Sequence, residues 1–323
     1  MVRPAVLCPI DFSHASRGAL RFAAAIAEYF HAALTVVTVD DPLLSGATET
    51  LYRDDLQAST QGALEQFVTD SFRRLPTVAE LFFEVVVGKP ATEIARLAEA
   101  RGADLIVMST QGRAGMAKMF FGSTTERVLR ETRIPVLVTP ADDPGPPDVA
   151  ELQRRIRTVL APVHVSAASE HQIHVAAGLA DALQASLVLM HVLEPLSGRP
   201  GSEAKVRAAD GERRVLAIER LNDLARAVTP RPELILTDGD AAAEIAKLAR
   251  ERQIGAIVVR LHSTIALGHA WDRSRIASCV RRLRPCSRCH PVRSRRERRS
   301  RSRGETTSPS NADLKRRRGV SPQ

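Results

Sequence analysis

The sequence predicts an α/β protein made of two tandem, doubly wound domains, each a five-stranded parallel sheet covered by helices on both faces. Three observations carry this expectation. The chain repeats itself: GKPATEIARLAEARGADLIV (88–107) aligns without gaps with GDAAAEIAKLARERQIGAIV (239–258) at an offset of 151, and VLCPIDFS (6–13) resembles VLAPVHVS (159–166) at an offset of 153. A period near 150 residues is far too long for a solenoid and marks two copies of one domain. Strand and helix patterns alternate within the copy, which argues for a parallel sheet. The strand runs are apolar and β-branched along their length, as strands buried on both faces are.

In the first copy, AVLCPI (5–10) is a short apolar strand. Residues 14–29 place apolar side chains at helical spacing, with Asp11 or Ser13 available as the cap. ALTVVTV (33–39) is the second strand, and a loop near 41–55 leads to a second helix over 59–74. LFFEVVV (81–87) is the third strand. Pro90, tolerated in a first turn, opens a helix that ends near residues 101–102. DLIVMS (104–109), a helix over 123–130 and PVLVTP (135–140) complete the domain. The expected boundaries are a first domain over 1–142, a linker over 143–155, a second domain over 156–285 and a tail over 286–323. PADDPGPPDVAE (140–151) has the Pro, Gly and Asp content of an exposed connector.

Hydrophobic residues make up 44% of the 323-residue chain, enough for two cores. No uninterrupted apolar run reaches the ~18 residues of a membrane span. The N-terminus enters a strand directly without a leader pattern, so the expectation is a cytoplasmic protein with no membrane partner. The net charge of +9 conceals an asymmetry: residues 273–323 hold 17 Lys and Arg against 3 Asp and Glu, while the rest holds 29 against 34. The globular part is mildly acidic, so the whole-chain charge does not make it a nucleic-acid-binding fold. Cys8 reads as a small core residue, and no disulfide framework is suggested by Cys279, Cys286 and Cys289.

The chemistry is concentrated in STQGRAGMAKMFFGSTTERV (109–128). Ser109 ends a predicted strand at the edge where open α/β sheets bind ligands. Gly112 lets a ligand approach the backbone. Gly122, Ser123 and Thr124 stand at a helix start, where free N–H groups and the helix dipole favour an anion. The same residues also fit a capping box, Ser123 at the cap and Glu126 three residues on. The two readings are compatible. The Gly-Lys-Ser/Thr ending of a Walker loop is absent.

These residues resemble the ATP-binding branch of the universal stress proteins, which carries Gly-x2-Gly-x9-Gly-Ser/Thr. This chain has Ser109-x2-Gly112-x9-Gly122-Ser123, with Pro9-Ile-Asp11-Phe-Ser13 and Thr38-Val39-Asp40 at the family's companion positions. The resemblance covers residues 1–140 and 157–260. It implies an adenine nucleotide alpha hydrolase-like fold and ATP as cofactor, with Mg²⁺ as its possible companion. It places Pro9, Asp11 and the Val39 backbone at the nucleoside and Ser109, Gly112, Gly122, Ser123 and Thr124 at the phosphates. Ser109 departs from the family's first glycine. The family also suggests domain pairing through the last strands, giving an intrachain domain pair or a homodimer.

The second copy is degenerate. At the repeat offsets Gly112 becomes Ser263, Gly122 becomes Arg273 and Asp11 becomes His164. The expected fifth strand is not recognisable after about residue 262. The Arg-, Pro- and Ser-rich end has the low hydrophobicity and high charge of disorder. Such an end fits a basic tail for nucleic acid or acidic partners, a signal patch, or an out-of-frame reading of a GC-rich gene. The last also explains the missing strand and is preferred. Cys286-Ser-Arg-Cys289-His290 matches a haem-attachment pattern, but its setting argues against haem.

Three function classes follow. An ATP-binding stress-response regulator, at most a weak ATPase, comes first, because no general base or Mg²⁺ carboxylate pair accompanies the motif. An ATP pyrophosphatase would need a Ser-Gly-Gly-type loop after the first strand, which PIDFSHAS does not supply. A nucleotide-free dimeric interaction scaffold is the alternative.

Overall fold

The structure is a computed structural model and describes residues 3–41, 53–110, 122–164, 169–196 and 203–260. Its elements in order are β1 (Ala5–Pro9), α1 (His14–Phe30), β2 (Ala33–Asp40), α2 (Arg53–Ser71), β3 (Glu80–Val87), α3 (Pro90–Ala100), β4 (Leu105–Ser109), α4 (Ser123–Glu131) and β5 (Val136–Thr139). Then come α5 (Val149–Arg155), β6 (Thr158–Pro162), α6 (Glu170–Leu183), β7 (Ser186–Leu193), α7 (Glu203–Arg226), β8 (Glu233–Asp238), α8 (Ala241–Glu251) and β9 (Ala256–Ile257).

The first sheet is parallel, in the order β3-β2-β1-β4-β5. The second is a parallel sheet in the order β8-β7-β6-β9, so four strands lie among the described residues. Both orders reverse direction next to the first strand of the copy, between β1 and β4 and between β6 and β9. Strand residues alternate between two buried layers. Val6, Cys8, Leu105 and Val107 face the α1 side, whereas Leu7, Ile106 and Met108 face α3 and α4. This double burial accounts for strands that are apolar throughout. The α1 helix presents small residues to the sheet, with Ala19, Ala23 and Ala27 fully enclosed, so its axis lies close to β1 and β4.

The segment expected to be an exposed linker is ordered and partly buried. Gly145 and Pro146 are buried, and Asp148 caps α5 by accepting from Glu151 N–H at 2.8 Å. The capped helix turns Leu152 and Ile156 into the core. A Cβ on Gly18 would stand 2.0 Å from the Asp143 carbonyl oxygen, and one on Gly145 (φ +74°) would stand 2.5 Å from the Gly18 carbonyl oxygen. The connector therefore lies backbone-to-backbone on α1, which only glycine at both places permits. One apolar cluster includes α1, α5 and α6 residues together, so the two halves share a core. The pairing expected through last strands concerns residues of the second copy outside the described ones. Among the described residues, α1, α5 and α6 make contacts between the halves.

Candidate functional site

The crevice between β1 and β4 starts with a proline. Ile10 N–H donates to the Val37 carbonyl at 2.8 Å, so this backbone edge faces β2. Backbone groups alternate edges along a strand. Pro9 therefore faces β4, where it has no N–H to give. The β1–β4 pairing covers Val6↔Leu105 and Leu7↔Ile106 and ends where Pro9 has no N–H to continue it. The ladder thus ends at the carboxyl ends of the strands where their order reverses, the place where open α/β sheets take ligands.

On the β1 side, Asp11 Oδ1 accepts from Ser13 N–H at 3.1 Å and from Ser13 Oγ at 2.6 Å. The Ser13 hydroxyl in turn accepts from Ser16 N–H at 3.1 Å and is the cap of α1. Of the two expected cap candidates Ser13 holds the role. Asp11 braces it from the turn, with Phe12 in a left-handed conformation (φ 60°). Val39 lies on β2 two residues beyond the last β1–β2 pair, Pro9↔Val37. Gly88 N–H donates to the Asp40 carbonyl, so Asp40 faces β3 and the backbone of Val39 faces the β1 side, over the crevice.

On the β4 side, Ser109 ends the strand, buried, opposite Thr139 of β5. Gly122 N–H donates to the Thr110 carbonyl at 2.6 Å, and Thr125 Oγ1 donates to the Ser109 carbonyl at 2.9 Å. These two bonds tie the start of α4 to the end of β4. Gly122 is the cap residue, and it supplies no side-chain capping bond. The capping box expected of Ser123 and Glu126 does not form. Ser123 is the first helical residue, and Glu126 pairs with Arg130 at 2.7 Å. Ser123 is exposed and Thr124 half-buried at this helix mouth, and Gly112 lies outside the described residues. Sequence reasoning did not single out Thr110 or Thr125 as anchors. A second threonine inside GSTT, sixteen residues after the strand-ending serine, was the available signal.

The second copy differs at the same place. His164 stands at the position of Asp11 and meets His191 edge-to-face at 6.0 Å between ring centroids. His191 is buried on β7, and its Nδ1 lies 2.8 Å from the Val163 carbonyl, so that nitrogen carries the proton and donates. Burial holds the His191 imidazole below its ordinary pKa, with His164 and Arg213 adding to the effect and the Val163 bond opposing it. Ser263 and Arg273, the expected replacements for Gly112 and Gly122, lie outside the described residues. Among the described residues no group of three His, Cys, Asp or Glu side chains is placed to hold a metal ion.

The model of the universal stress protein family matches residues 3–140 and again residues 155–284. This chain belongs to the universal stress protein family. Universal stress protein MJ0531 of Methanocaldococcus jannaschii is 33% identical over 143 residues, 41% of this chain and 79% of that protein. A universal stress protein of Thermus aquaticus is 29% identical over 133 residues, 41% of this chain and 96% of that protein. The crystal structure of a universal stress protein from Archaeoglobus fulgidus covers 78% of this chain and 85% of its own at a TM-score of 0.54 and 18% identity, a likeness of fold. The two internal copies are thus two universal stress protein domains in tandem. Among the described residues no helix is long and apolar enough to cross a membrane.

Proposed function

We propose that this universal stress protein is an ATP-binding stress-response regulator whose nucleotide sits in the first domain. The observation that carries the reading is the start of α4. A nine-residue helix begins at the mouth of the β1–β4 crevice with a glycine cap and no side-chain capping bond. Its first-turn N–H groups and positive dipole end suit an anion, and no side chain at the cap competes for them.

The Gly122 backbone and the Ser123 and Thr124 hydroxyls hold phosphate oxygens in this proposal, together with Ser109 and Gly112. Pro9, Asp11 and the Val39 backbone hold the nucleoside. The domain limits are 1–142 and 156–285, joined by 143–155. Hydrolysis is slow or absent, and Mg²⁺, where present, travels with the triphosphate. The alternative reading, which the shared helical core favours, is a nucleotide-free dimeric interaction scaffold, with the chain acting as an internal domain pair or a homodimer.

Isothermal titration of the full chain with ATP tests the reading. One site per chain is expected. Two sites would misplace the nucleotide, and none would leave the nucleotide-free scaffold.

A further inference from the structure

Pro162 repeats the part of Pro9. Val163 N–H donates to the Met190 carbonyl at 2.8 Å, so Pro162 faces β9 and has no N–H to give it. The β6–β9 pairing stops after Val159↔Ala256 and Leu160↔Ile257, as the β1–β4 pairing does. Val258 N–H donates to the Leu160 carbonyl at 2.8 Å, so the Val258 carbonyl also points toward β6. Two carbonyls, of Pro162 and Val258, thus lie on the facing edges of β6 and β9 where the ladder ends, and buried acceptors of this kind require donors.

One side chain supplies both. The Gln172 carboxamide, on α6, donates from Nε2 to Pro162 O at 2.7 Å and to Val258 O at 2.8 Å. A primary amide carries two N–H donors on one nitrogen, which matches the two acceptors. Gln172 is only 6% exposed, so this is an interior bridge across the crevice. At the 153-residue offset its counterpart in the first domain is Ala19, a fully buried methyl with no donor to offer. The copies have the same fold and the same proline, and they differ in the side chain that stands at this helix position.

We infer that Gln172 is a built-in occupant of the second domain's ligand crevice, a specificity-determining residue that joins β6 to β9 and keeps that domain shut with or without nucleotide. This rests on the reading that the corresponding crevice of the first domain takes the ligand. A domain whose switch point is stitched by its own side chain holds its sheet together unliganded. It offers the first domain a rigid support.

Hydrogen exchange of the full chain, with and without saturating ATP, tests the inference. In the native chain, peptides over 158–163 and 254–260 should exchange slowly and ignore ATP. In Gln172→Ala, which copies Ala19, they should exchange at least tenfold faster, with peptides over 5–10 and 105–109 unchanged. Gln172→Met keeps the length and removes both donors. It should give the same acceleration, and it serves where the alanine variant fails to fold. Native exchange rates in the Met variant would overturn the inference, as would ATP protection of the second-domain peptides with Gln172 in place. An ATP response in neither domain would remove the nucleotide reading of the first domain, while the two variants still decide the role of Gln172.

Discussion

The Tyr29 hydroxyl donates to the Ala182 carbonyl at 2.5 Å, and these two residues are repeat equivalents, 153 positions apart. The cap residues that follow, His31 and Gln184, are both left-handed and stand at the same offset. A position that meets its own counterpart is what a two-fold-like pairing produces near its axis. Here the phenol is donated by one copy only, since the second copy has alanine there. Tyr29→Phe removes the bond and leaves a partly buried carbonyl without this donor. A loss of about 1 kcal/mol is expected in urea unfolding of the full chain. A change below the resolution of the measurement would mean that water replaces the phenol.

Gly122→Arg should cost more than tenfold in ATP affinity, or more than about 1.4 kcal/mol by titration. The cap position adjoins the first-turn N–H groups, and a long side chain there obstructs the approach of phosphate. The fold should persist, because Gly122 N–H still reaches Thr110. Unchanged affinity would place the phosphates elsewhere.

Asp11→Ala should weaken nucleotide binding from the other end of the crevice. It also releases Ser13, the cap of α1, from two hydrogen bonds. Ser13→Ala is the control: it should cost about 1 kcal/mol of stability through the lost cap while leaving more affinity for adenosine than Asp11→Ala does. Equal losses of adenosine affinity in both variants would reduce Asp11 to a brace for the helix.

Gly18→Ala and Gly145→Ala should each destabilise the chain by about 1–3 kcal/mol, because the added methyl meets backbone rather than a yielding side chain. Gly145 carries the further cost of a left-handed conformation. Thermal unfolding checks both. Wild-type stability would show that the connector lifts from α1 freely.

The buried His191 makes the second domain sensitive to acid. Its folded pKa lies below its unfolded value, near 6.5, so the unfolded chain binds the extra proton first. Stability contributed by neutral His191 is present above the unfolded value and declines as pH falls through it toward the folded one. His191→Gln should flatten the decline between about pH 7 and 5, measured as the difference in unfolding midpoint between variant and native chain. An identical slope in both would assign the acid response to other groups.

The sequence by itself determined the two-domain α/β architecture. A period near 150 residues, doubly apolar strands and helix-spaced alanines are local patterns, and local patterns survive being read one residue at a time. It also marked the strand ends and the Gly-Ser-Thr helix start, because glycine and proline act on the backbone wherever they stand. Three features belonged to tertiary structure. Whether Ser123 caps α4 depends on which residue enters the helix first, and the bonds of Gly122 to Thr110 and Thr125 to Ser109 decided it. The connector 143–155 looked like an exposed linker by composition. Gly145 of the connector and Gly18 of α1 instead let the two lie together, a contact that depends on the two backbones being adjacent in space. Gln172 read as one polar residue on a helix. Only the end of the β6–β9 ladder at Pro162 supplies the two carbonyls that explain it, because a buried polar group takes its meaning from partners distant in sequence.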